Sequence, residues 1–188
     1  MQRLNLWRLG LCGAVVLEAL AVGSTMAGPV AAQARLANVP RCAPGALGVW
    51  TGITTGAAGS RAAEFGFTNH SASSCFLHGY PRVQMLIKSG KNLSTTDQKA
   101  PGAFGIQDRT VVLAPGKTAY FGVLYASQTG YANLTCPTSA ALEFTPPQNT
   151  GSITLRGSAA QIAPYGGTTV HLECGIIRVT SVTAKPFQ

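Results

Sequence analysis

Three histidines, His70, His78 and His171, and five carboxylates beyond residue 34, Glu64, Asp97, Asp108, Glu143 and Glu173, are the groups through which this chain could do acid–base or metal chemistry. A zinc site reads as H-x-H, H-E-x-x-H or C-x-x-C spacing, and none of these occurs. His70 and His78 flank Cys75 and can approach in space, but turn and surface roles explain them more simply. No metal and no cofactor is expected. Gly-x-Ser-x-Gly is absent, and no Ser-x-x-Lys is accompanied by the other parts an acyl-enzyme needs. A glycosidase needs two carboxyls placed across a cleft. Glu64 and Glu143 are the pair that could do this, although solvated strand faces explain them more simply. The expectation is a chain without catalytic residues.

The sulfur chemistry is more informative. Cys42, Cys75, Cys136 and Cys174 follow a segment laid out as an export signal. Arg3 and Arg8 make a basic start, Leu9 to Ala21 is nearly all apolar, and Ala32-Gln33-Ala34 is an A-x-A cleavage site. Glu18 interrupts the apolar stretch, where a membrane span would want about 20 uninterrupted residues. Cys12 sits too early to carry a lipid. Residues 1–34 are therefore expected to be a signal peptide and 35–188 a single domain. That domain is secreted or held at the cell envelope, with no stable span once the signal is removed. An even cysteine count in such a compartment reads as a disulfide framework. Four cysteines leave three pairings open.

The formal charge of +8 falls to +7 when Arg3, Arg8 and Glu18 are removed. The basic residues are scattered, with no run of three. Nucleic-acid binders concentrate such residues on one stripe with stacking aromatics, so no nucleic-acid partner is expected. A diffuse positive charge fits a general attraction to anionic envelope polymers, or solubility alone.

The elements that must position these groups read as strands. Ala62–Asn69 alternates as a half-buried strand does. Arg82–Lys88 leads into the turn Ser89-Gly90-Lys91-Asn92. Thr110–Leu113 runs into the tight turn Ala114-Pro115-Gly116-Lys117, and Thr118–Ala126 follows. Ala141–Phe144, Ser152–Leu155, Thr168–Leu172 and Ile176–Val182 complete the set. Short β-rich runs broken by 22 Gly and 11 Pro indicate an all-β sandwich or barrel. Residues 94–108 and 156–168 read as two long connections, which in compact domains are binding surfaces or mobile. Asn69-His70-Ser71, Asn92-Leu93-Ser94 and Asn133-Leu134-Thr135 fit the glycan acceptor pattern but read here as turn chemistry.

Four segments carry a resemblance. They are Cys42-Ala43-Pro44-Gly45-Ala46-Leu47, Phe65 through Cys75, Leu77-His78-Gly79-Tyr80-Pro81-Arg82-Val83, and Val112-Leu113-Ala114-Pro115-Gly116-Lys117-Thr118-Ala119. Over residues 42–184 the chain resembles a secreted, immunoglobulin-like domain-of-unknown-function family common in actinobacteria. The resemblance implies an Ig-like antiparallel β-sandwich, an extracytoplasmic location and the bridges Cys42–Cys75 and Cys136–Cys174. It brings no catalytic residues. The expected function is non-catalytic binding of a protein or an envelope polymer. The two long loops are the expected contact surfaces, assisted by Lys99, Arg109 and Tyr165, with an edge formed by His78, Tyr80 and Arg82. A structural envelope protein and a cell-wall hydrolase are the alternatives.

Overall fold

The structure is a computed structural model that describes residues 39–57, 59–126, 136–156 and 171–187. The expected signal, Tyr165, the Asn133 segment, nearly all of the 156–168 loop and residues 168–170 lie outside the described residues.

Two long strands form the centre because their sequences alternate. In β2 (Ser60–Asn69) Ala63, Phe65 and Phe67 point one way, and in β7 (Thr118–Ala126) Ala119, Phe121, Val123 and Tyr125 do the same. The strands pair antiparallel over their length, from Ser60 opposite Ala126 to Thr68 opposite Thr118. Strands β1 (Leu47–Ala57), β10 (Ile176–Val179) and β5 (Thr96–Lys99) extend this sheet in the order β1-β2-β7-β10-β5. A second sheet, β4-β8-β9, consists of Arg82–Leu86, Ala141–Thr145 and Ile153–Arg156. The third pairs β3 (Cys75–Leu77) with β6 (Val111–Leu113).

The first two sheets meet through aromatic rings. Phe144 of β8 lies 4.9 Å from Phe65 and 5.9 Å from Phe121, centroid to centroid, and Phe67 stacks on Phe121 at 5.0 Å. All four are fully buried. Each such side chain contributes about 1.5–3 kcal/mol by leaving water. Both expected disulfides are present, Cys42–Cys75 and Cys136–Cys174. The first ties residues 40–42 alongside β3, where the Cys42 N–H donates to Phe76 and the Phe76 N–H to Pro40.

Several expectations are corrected. The fold is predominantly β, but three separate sheets replace a closed immunoglobulin-like sandwich, and β10 and β5 run parallel. The stretch 94–108 is not one loop: it holds β5 and a short 3-10 turn at Ala103–Gly105. All four residues of β5 are exposed, so no apolar alternation announces that strand. Leu172 is buried but lies outside any strand. The last strand ends at Val179, beyond which the chain departs and pairs Thr183 with Tyr120.

Candidate functional site

The segment Leu77 to Arg82 links β3 to β4 and turns at Gly79, whose φ of 100° only glycine adopts without strain. The Gly79 carbonyl accepts from the Val182 N–H at 3.0 Å and from the Ser181 hydroxyl at 3.2 Å. This seats the segment against residues 181–182. Lys99 Nζ lies 5.2 Å from the centroid of the Tyr80 ring. His78 Nε2 lies 4.0 Å from Asp108 Oδ1, and its Nδ1 shares a 3.3 Å hydrogen bond with the Thr110 hydroxyl. Asp97 accepts from the Val83 N–H at 3.1 Å. Although the residue as a whole is exposed, the partial loss of water around its carboxyl raises the Asp97 pKa, against the lowering effects of that N–H and of the nearby Arg82 charge. The side chains form a ridge of alternating charge flanking one aromatic ring.

The same geometry bears on catalysis. Ser181 is buried and its hydroxyl donates to Asp108 Oδ1 at 2.8 Å, the same oxygen that lies 4.0 Å from His78 Nε2. A serine nucleophile needs its base on its own hydroxyl, and here the trio ties three segments together instead. Glu64 and Glu143 alternate with Phe65 and Phe144, whose rings meet in the core. Alternation therefore puts the two carboxylates on opposite outer surfaces, and they cannot flank one bond. Glu143 lines a polar groove of about 290 Å³ with Arg82, Gln84 and Asp97. Among the described residues no three His, Cys, Asp or Glu side chains converge as a metal site would require.

A larger cleft of about 620 Å³ opens beside the ridge, between residues 104–111 and 182–187. Phe104 and Phe187 stack in it at 5.3 Å with planes 27° apart. Their seat is Gly122 of β7, where a Cβ would come within 2.8 Å of the Phe187 ring and 3.3 Å of the Phe104 ring. Phe104 is 54% exposed and holds a left-handed backbone (φ 56°, ψ 23°) between Gly102 and Gly105, which share that region. For a bulky residue this costs about 1–2 kcal/mol. Beneath, the Phe187 N–H donates to the Glu64 carboxylate, which is buried at 3% exposure. Burial raises the Glu64 pKa, and the hydrogen bond from Phe187 offsets part of that. Arg109 and Lys185 line the cleft, and among the described residues no Asp or Glu does.

Residues 42–186 match the family described as "Domain of unknown function (DUF4232)". The chain belongs to that family. No curated protein and no solved structure matches it.

The matched stretch of this DUF4232 domain contains both disulfides, the whole ridge and both cleft walls as far as Pro186. Four of the residues singled out from sequence, His78, Tyr80, Arg82 and Lys99, come to one side of the DUF4232 domain. Arg109 sits apart from them in the cleft, and Tyr165 lies outside the described residues. Sequence reasoning missed Phe104, Gly122, Lys185 and Phe187. Only one signal could have found any of them: a phenylalanine set among glycines in Pro101-Gly102-Ala103-Phe104-Gly105, within an otherwise polar stretch.

Proposed function

We propose that the chain is an exported, non-catalytic binding module, acting at the cell envelope or in the medium on a protein or an envelope polymer. Its contact surface is the 104–111/182–187 cleft with the adjoining Tyr80–Lys99 ridge. One observation carries this reading: an aromatic platform half open to solvent shares its cleft with two cations and, among the described residues, no Asp or Glu side chain. Surface aromatics normally hide their rings, and a strained backbone that exposes one is a feature found at ligand sites. The contact of the two larger sheets through Phe144 supports a packed β scaffold behind that surface. The disulfides suit an oxidising compartment. Among the described residues no helix is long and apolar enough to cross a membrane.

The test is retention of envelope and culture-medium components on the immobilised chain, compared with an Arg109→Ala/Lys185→Ala variant across a salt series. A saturable component that survives moderate salt and is lost from the variant is the expected result. Equal retention by both proteins would move the contact surface elsewhere and leave a structural coat protein as the better reading.

A further inference from the structure

The cleft selects among possible ligands more narrowly than its charge alone would. Residues 107–110 are all exposed, and among the described residues they make no backbone–backbone hydrogen bond. They lead directly into β6, which pairs with β3 along one edge and, among the described residues, has no strand on the other. Over 107–110 the main-chain N–H and C=O groups therefore have no backbone partner among the described residues, and the segment meets the cleft wall at Arg109 and Thr110. Such an edge is a template for a further strand unless the fold blocks it.

Elsewhere the fold does block an edge. On β4 the Val83 N–H is capped by the Asp97 carboxylate, and the Met85 N–H by the Thr95 hydroxyl at 3.1 Å. The 107–110 edge carries no such cap. Asp108 could have repelled an anion there, but its carboxylate is turned to Ser181 and His78. Glu64 is held under Phe187 by that residue's N–H. Arg109 and Lys185, on opposite walls, are left as the charges an incoming segment meets.

Resting on the binding-module reading, we propose that the cleft docks an extended acidic peptide segment of a partner protein by strand addition along 107–110. Alternate side chains of an extended strand face the same way, about 6.6 Å apart. One carboxylate is set by Arg109, an apolar side chain rests on the Phe104–Phe187 platform, and a second carboxylate is set by Lys185. Main-chain pairing provides affinity, and the alternating side chains provide selection.

The experiment is fluorescence anisotropy of a labelled peptide, Ser-Glu-Thr-Phe-Thr-Glu-Ser, titrated with the full chain. Saturable binding is expected, weakened about tenfold or more by either Arg109→Glu or Lys185→Glu. Lys91→Glu and Lys117→Glu, charges outside the cleft, leave it within about twofold. Methylating alternate main-chain nitrogens of the peptide abolishes binding, since it removes the strand donors. Unchanged binding of the methylated peptide, or equal affinity for inorganic polyphosphate, would show recognition of charge alone and overturn strand addition. If the peptide fails to bind while partner retention still depends on Arg109 and Lys185, the peptide proposal falls and the binding module stands. If retention is also insensitive to them, both fall.

Discussion

Glu64 and Phe187 are joined by a hydrogen bond from the main-chain N–H of one to the carboxylate of the other, although 123 positions separate them. Glu64 stands opposite Gly122 on neighbouring central strands, and Phe187 lies over that glycine. The bond therefore ties one wall of the cleft to the central strands of the sheet. It also leaves a carboxylate under an aromatic ring, and that has a consequence for pH.

Burial raises the Glu64 pKa above its ordinary value of 4.5. The folded state then holds the proton more tightly than the unfolded chain does. Stability from this group is greatest below 4.5 and is lost as pH rises through the raised value. Asp97 shifts in the same direction but contributes equally to wild type and to a Glu64→Gln variant. The Tm of the variant minus that of wild type should thus be most positive near neutral pH and shrink on acidification. Thermal melts between neutral pH and 4.5 check this; a difference that grows towards acid is the opposite outcome.

Phe104 sets strain against contact. Phe104→Gly removes a ring stack worth about 0.5–1.5 kcal/mol. It also relieves a left-handed backbone costing about 1–2 kcal/mol. The two nearly cancel, so Tm should move by no more than about 3 °C. Phe187→Ala loses the same stack with no relief and should melt lower than Phe104→Gly. The reverse order in calorimetry would mean that the backbone at Phe104 carries no strain.

Asn69 is a buried amide with every group in use. Its Nδ2 donates to the Ser73 carbonyl at 2.8 Å and to the Leu113 carbonyl at 3.0 Å, while its Oδ1 accepts from the Ser71 N–H and hydroxyl. Asn69→Ala strands these partners and should cost about 2–4 kcal/mol, whereas Ser71→Ala should cost about 1 kcal/mol. Urea unfolding compares the two. Equal costs would place the anchoring of this turn elsewhere.

The disulfides differ in access. Cys42 and Cys75 are buried, whereas Cys136 and Cys174 are partly exposed. Graded reductant should open Cys136–Cys174 first, as read by differential alkylation and mass spectrometry. The bridges span 33 and 38 residues. Each removes about 3.5–4 kcal/mol of unfolded-state freedom in the chain-entropy treatment. Full reduction should therefore loosen or unfold the domain. An unchanged circular dichroism spectrum and Tm after complete reduction would contradict this.

Alternation along the chain is a local property, and it was enough to locate the centre of the fold. Thr118–Ala126 is the strand that its pattern describes, and Ala141, Leu142 and Phe144 announce β8 in the same way. The disulfide framework was legible from cysteine number and setting, but the pairing rested on resemblance because three connectivities satisfy the count. The polar turn chemistry at Asn69-His70-Ser71 was also legible, since Asn and Ser bond locally whatever surrounds them.

The site was a different matter. Thr96-Asp97-Gln98-Lys99 is a strand only because the β10 edge is there to receive it, and nothing in those four polar residues records that edge. Glu64 and Glu143 look alike in sequence, yet the two sheets turn them to opposite sides of one aromatic core. Gly122 became the seat for Phe104 and Phe187 through contacts reaching 18 and 65 residues away. Where side chains alternate, strand identity follows from their period, which is a property of the sequence itself. Which edge a strand joins, and which ring covers which glycine, follow from long-range packing, and the tertiary structure alone decided them.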